Sequence, residues 1–186
     1  MKGKFTMKKM ILCTLALAGT ALFAQEYKID FNAQSNRWTT LRNHGYRLEI
    51  KNGVLKKKPA TIVTLAKNQR SNVDTAFALV SQKFPVKGKK TIDISGEILI
   101  PAKQTVGGSG GSFQNAVHFF DAKGKALKVP FTPFKVPAGT GDFMPFKATV
   151  AIPAGAASAT IQLGYDYPNI QKNQTFAVSK LVWFVK

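Results

Sequence analysis

Few side chains in this sequence could do chemistry on a ligand, and most of those are aromatic or basic. Trp38 lies in the polar stretch 32–43 with Arg37, Arg42 and His44 around it, where a core role is less natural. An indole exposed there could stack on the C–H face of a sugar while the neighbouring guanidinium and imidazole supply polar contacts. The competing expectation is a loop tryptophan folded back as a plug. Tyr165 and Tyr167 flank Asp166 where an alternating strand runs into a loop, which predicts Tyr165 in the core and Tyr167 more open. His118 sits between Val117 and Phe119 in alternation, so it faces either a concave sheet or solvent. The candidate ligand-binding residues are therefore Trp38, Arg42, His44, His118, Tyr165 and Tyr167.

Other chemistries are poorly provided for. Glycoside hydrolysis needs two carboxyl groups facing each other across the bond. The chain has nine acids, and Asp93 and Glu97 share one strand face at i and i+4, which suits solvent exposure. Two histidines, His44 and His118, are too few for a typical histidine-rich metal centre. No G-x-S-x-G nucleophile elbow occurs. A polysaccharide lyase would use tyrosine, histidine and arginine, and His118, Tyr165 and Arg42 could imitate that set, but their spacing does not show it. The glycine-rich run KQTVGGSGGS at 103–112 would have to open a helix to cradle phosphate, whereas Asn115 to Asp121 continues as a strand. No catalytic residue is assigned, and no metal ligand.

Bulk properties set the context. Lys2, Lys4, Lys8 and Lys9, an apolar run from Met10 to Ala18, and Leu22-Phe23-Ala24 before Gln25 have the layout of a secretory signal peptide over 1–24. The expected product is a single domain, 25–186, secreted or held in the periplasm or cell envelope of a bacterium. It would meet the membrane only through the cleaved signal. The one cysteine, Cys13, falls inside the apolar run, so no disulfide framework is expected. The formal charge is +18, of which the signal lysines supply four, leaving about +14. A charge of that sign favours acidic partners, and export disfavours nucleic acid among them. The alternative is that lysines guard sheet edges and turns, as LKKKP at 55–59 and VKGKK at 86–90 suggest.

The elements that must position these residues read as strands throughout. Ile92, Ile94, Ile98 and Ile100 alternate with Thr91, Asp93, Ser95 and Glu97, a half-buried strand. With the apolar run around Phe77, Leu79 and Phe84, and Pro85 and Gly88 between, it predicts two long antiparallel strands over 74–101. Tyr27 to Phe31 alternates. Arg47 to Lys58 reads as a hairpin turning at Asn52-Gly53. Thr61 to Ala66, Asn115 to Asp121, Ala126 to Val129, Phe143 to Ile152 and Ala159 to Tyr167 follow. Thr175 to Val185 closes the chain with a bulge near Ser179-Lys180, where the alternation slips. About ten strands and no helical period predict an all-β antiparallel sandwich of jelly-roll type.

The order FPVKGKKTIDISGEILI, NAVHFFDAKGKAL, FKATVAIPAGAASATIQLGY and TFAVSKLVW resembles the jelly-roll carbohydrate-binding modules of the family 4 and 9 type. The likeness covers about 73–185 and rests on core and turn residues. It implies a galactose-binding-domain-like β-sandwich, usually non-catalytic, that binds a polysaccharide or cell-surface glycan on a concave sheet or at loop tips. A structural calcium is common in such sandwiches, and Asp30 and Glu26 are the carboxylates this sequence would offer. No other cofactor is implied. The resemblance and the charge together predict a module for glycans, acidic ones included. A structural or adhesive envelope protein is the second expectation, and a small jelly-roll lyase or hydrolase the third.

Overall fold

The computed structural model describes residues 25–28, 38–39, 46–67, 75–107, 113–166 and 174–186, and every element in it is a strand. In chain order these are β1 (Gln25–Lys28), β2 (Trp38–Thr39), β3 (Tyr46–Leu55), β4 (Lys58–Lys67), β5 (Thr75–Ser81), β6 (Phe84–Pro85), β7 (Thr91–Leu99), β8 (Phe113–Phe120), β9 (Ala126–Pro133), β10 (Phe143–Ala151), β11 (Ser158–Asp166) and β12 (Gln174–Val185). They form two antiparallel sheets. Sheet A has the order β10-β7-β12-β4-β3 with β1 also on β12, and sheet B has β2-β5-β11-β8-β9 with β6 also on β11. The expected all-β sandwich is what the chain forms.

The core lies between the inner faces. Ile92, Ile94 and Ile98 of β7, Phe176, Val178, Leu181 and Trp183 of β12, and Val150 of β10 meet Phe113, Val117 and Phe119 of β8 and Ile161, Leu163 and Tyr165 of β11. The alternation read from the sequence of β7 is the alternation seen, intermediate and buried by turns. At one place β7 has no side chain to offer. Gly96 lies under the ring of Phe146, its register partner on β10, and against the β12 bulge between Val178 and Lys180. That bulge sits where the sequence placed it.

Two expectations are corrected. The two runs of 74–101 do not pair with each other: β5 is in sheet B and β7 in sheet A. Leu79 of β5 and Ile92, Ile94 and Ile98 of β7 enter the same core from opposite sheets, so both apolar runs are buried without pairing. Their edges are already taken, β5 by β2 and β11, β7 by β10 and β12. Pro85 ends the short β6, Gly88 turns with φ 75°, and the amide of Lys90 donates to Lys186 O at 2.6 Å as the chain enters sheet A.

The β3–β4 hairpin also turns elsewhere. The strand runs through Asn52-Gly53, and the reversal is at Lys56-Lys57, with φ of 49° and 64°. Both central residues are left-handed, which is the type I′ pattern. The register that results faces Ile50 and Val63 to the core and lets the hydroxyl of Thr61 donate to Asn52 Oδ1 at 2.9 Å. Facing the core outweighs local turn preference, because a register slip would turn the apolar set outward. Left-handed lysine costs about 1 kcal/mol or more, while glycine costs some unfolded-state entropy. Lys57→Gly should therefore raise the melting temperature by about 1–2 °C, and Lys57→Val should lower it. Thermal denaturation followed by circular dichroism checks both.

Candidate functional site

The outer face of sheet B carries an ordered polar row. His118 on β8 stands opposite Thr160 on β11, Phe120 opposite Ser158, and Ala116 opposite Gln162. Thr160 and Gln162 are buried although they lie on the face away from the core. The Gln162 amide nitrogen donates to Thr160 Oγ1 at 3.2 Å and lies 3.2 Å from His118 Nδ1. An amide N–H can only donate, so Nδ1 accepts and the neutral imidazole carries its proton on Nε2. Gln162 Oε1 has no hydrogen-bond partner among the described residues. The His118 ring packs 4.6 Å from that of Phe120, over which Lys83 places its ammonium at 3.9 Å.

Burial first, and then the charge of Lys83, push the His118 pKa below the usual imidazole value. A base whose folded pKa is depressed takes up its proton more readily when unfolded. The stability it confers is complete above the unfolded value of about 6.5 and is lost as pH falls through the folded value. The melting temperature should decline from pH 7 toward pH 5, and His118→Gln should flatten that decline. Melts across a pH series measure it.

From this row the outer face runs along β8 to Gln114, and there it opens into a cleft of about 690 Å³. Its walls are the 103–107 loop and the segment 133–139, with Gln114 and Asn115 at the base. Val106, Pro133 and Val136 make it partly apolar, Gln104 and Gln114 add amides, and Lys103 and Lys135 bring two exposed ammonium groups. Neither lysine has an ion-pair partner among the described residues.

The cleft is built stiffly. The Lys103 amide donates to Gly139 O at 3.2 Å, and that of Gln104 to Pro101 O at 3.1 Å. The Asn115 side-chain amide donates to Phe134 O. At Gly139 a Cβ would fall 2.1 Å from Pro101 O, so the two walls meet at a contact only glycine permits. A cleft fixed by backbone contacts suits binding without large rearrangement.

The sequence candidates are placed as follows. His118 faces the outer surface of sheet B, half-buried in the polar row. Trp38 lies on edge strand β2, its backbone opposite Ser81. Three strand steps separate β2 from β8, about 14 Å. Tyr165 is corrected as a ligand-binding residue: it is fully buried, 5.5 Å from Phe113 and 5.8 Å from Phe176 between ring centroids. Nine residues of inward–outward alternation on β11 put its ring on the core side, and burial pushes its hydroxyl pKa up. His118 and Tyr165 thus face opposite sides of one sheet and make no joint lyase centre. Arg42, His44 and Tyr167 lie outside the described residues, as does Asp30.

Glu26, the other carboxylate considered for calcium, is exposed on β1. Among the described residues no three His, Cys, Asp or Glu side chains come together to hold an ion, so they offer no cage of six or more oxygens. Missed by the sequence were Lys103, Lys135, Gln104 and Gln114. The lysines look like edge and turn guards there, and only the meeting of two loops distant in sequence makes them a pair.

No protein-family model matches the sequence, and no curated protein is similar to it in sequence. Solved structures share its fold. It is similar to the C-terminal family 22 carbohydrate-binding module of Clostridium thermocellum Xyn10B, with 13% identity, TM-score 0.53, and 86% of this chain covering 91% of that one. It is similar to the CBM22-1–GH10 modules of the N-terminal part of the same xylanase, complexed with xylohexaose, with 16% identity and TM-score 0.55. That likeness covers 86% of this chain and 28% of that one. A third is the enzymatically active domain of bacteriophage CBA120 tailspike protein 4, with 12% identity, TM-score 0.51, and 81% of this chain. The chain spans about a fifth of the tailspike chain. What these structures share with the chain is the antiparallel β-sandwich fold, and the module neighbours named are of family 22 where the sequence suggested the family 4 and 9 type.

Proposed function

We propose that this protein is a secreted, non-catalytic carbohydrate-binding module that takes an acidic glycan in the cleft at the end of sheet B. The observation that carries this is the pair of lysines, Lys103 and Lys135, without an ion-pair partner among the described residues and set on a rigid, partly apolar cleft beside Gln104 and Gln114. Apolar walls suit the C–H face of a sugar ring, amides suit hydroxyls, and the ammonium groups suit a carboxylate or sulfate. The neighbours support the class, since the two module structures come from one xylanase and one of them is complexed with xylohexaose. Export rests on the signal-like 1–24 segment, and the acidic ligand class on the surplus of basic residues.

Binding without catalysis is favoured by where the carboxylates are spent. Glu97 accepts from Lys58 at 2.7 Å and Asp93 from Lys186 at 2.5 Å. Asp142 pairs with Lys56, Glu49 with Lys51, and Asp121 accepts two backbone amides of its own turn. Among the described residues the cleft walls contain no carboxylate, so they supply neither the acid nor the base of glycoside hydrolysis.

Affinity electrophoresis through gels containing polygalacturonate or neutral xylan tests the reading. Retardation by the acidic polymer that weakens as salt is raised is expected. Unretarded migration in both gels would remove the proposal. A salt-resistant preference for xylan would move the ligand class to neutral glycans.

A further inference from the structure

Sheet A has an outer face of its own, and its two halves differ. At one end the tip of the β3–β4 hairpin folds across it. Ala60 packs on Leu99 and Ala177, with Leu55, Ile62 and Phe143 against them. Lys58 reaches Glu97 two strands away, and Lys56 pairs with Asp142 just before the far edge strand β10. At the other end none of the described residues folds over it, and a groove of about 480 Å³ lies over Asp93, Ser95, Lys147, Thr149, Phe184 and Lys186.

The groups there are set out in rows. Phe184 of β12, Asp93 of β7 and Thr149 of β10 share one register level, and Ser95 and Lys147 share the next on β7 and β10. Two strand steps make the span about 10 Å. The Phe184 ring is half-buried, which leaves part of it to solvent. The Asp93 carboxylate is held by Lys186 at 2.5 Å on Oδ2 and by the Thr149 hydroxyl at 2.8 Å on Oδ1. Those two hydrogen bonds keep its pKa below the usual carboxylate value, so it is an acceptor at every neutral pH. Each of its oxygens keeps lone-pair capacity for a further donor. Lys147 is exposed and has no ion-pair partner among the described residues, whereas Lys51, Lys56, Lys58 and Lys186 on this side of the molecule are all paired.

We infer that this groove is a second glycan site, taking one carboxylated sugar unit with its ring on Phe184, its hydroxyls on Asp93 and Ser95, and its carboxylate on Lys147. The inference rests on the reading that the protein binds acidic glycan, and it adds a consequence. The sheet B cleft sits where β7 ends and β10 has yet to begin, and this groove sits near the opposite ends of those strands on the other sheet. About eight residues of extended chain, roughly 25 Å, separate the two levels. One short glycan cannot fill both, so two chains would be held by one protein, and long polymers would be bridged with a gain in avidity.

Isothermal titration with hexagalacturonate separates the two sites. The intact protein should bind two molecules. Lys147→Ala combined with Phe184→Ala should leave one, held in the cleft, and should abolish the turbidity that the intact protein produces with long polygalacturonate. Lys103→Ala combined with Lys135→Ala should leave the other. Melting curves report whether the Phe184 variant folds, and Lys147→Glu alone, an exposed charge reversal, should weaken the same site about tenfold or more. A single site that survives both Lys147 variants and disappears with the Lys103 and Lys135 pair overturns this inference while leaving the cleft standing. A single site with the reverse dependence overturns the cleft and upholds the groove. No binding by the intact protein overturns the inference.

Discussion

Gly96→Ala should lose about 3 kcal/mol of stability and lower the melting temperature by about 10 °C. A Cβ at this position would fall 2.4 Å from Lys180 O and 2.9 Å from Cε1 of Phe146. The ring could rotate away, but the carbonyl belongs to the backbone of the β12 bulge and cannot yield without breaking the β7–β12 ladder. β7 is hydrogen-bonded on both sides, so it cannot move out either. The Phe146 ring covers the gap that glycine leaves, a cross-strand device that returns the packing lost with the missing side chain. Phe146→Ala in the same background should relieve little of the loss, because the backbone contact remains. Denaturant unfolding of the single and double variants gives the comparison directly.

Lys103→Ala with Lys135→Ala should weaken binding of an acidic oligosaccharide about thirtyfold at low salt, with the melting temperature unchanged. Each ammonium facing a carboxylate at a half-exposed site contributes about 1 kcal/mol, and two together about 2 kcal/mol. Both side chains are exposed, so their loss costs the fold little. Raising the ionic strength should shrink the difference between variant and intact protein, since screening acts on the charges that the variant lacks. Titration at two salt concentrations reads both effects.

The scaffold was legible in the sequence because its signals are local. The alternation from Thr91 to Ile100 and the slip at Ser179-Lys180 each depend on residues within a few places of one another. The errors arose where distant parts decide. Asn52-Gly53 is a strong turn dipeptide, yet the core contacts of Ile50 and Val63 set the hairpin register and put two lysines in the left-handed turn. The strands of 74–101 look like partners and instead belong to opposite sheets of the sandwich.

The binding surface was less legible still. Tyr165 carried an aromatic signal but belongs to the core, and its face on β11 is fixed by Ile161 and Leu163 beside it. Lys103 and Lys135 are 32 positions apart in the sequence, and a loop wall joined at Gly139 brings them to one cleft. For His118 the alternation left a concave sheet and solvent both open, and what decides its surroundings, Thr160 and Gln162, lies on another strand some forty residues away.

The most direct test of the account is amide chemical-shift mapping of the protein titrated with hexagalacturonate. The cleft reading predicts saturable shifts in 103–107, at Gln114 and in 133–139, which in the Lys103 and Lys135 double variant should require about thirtyfold more ligand. Saturable binding that leaves those amides unmoved would contradict it.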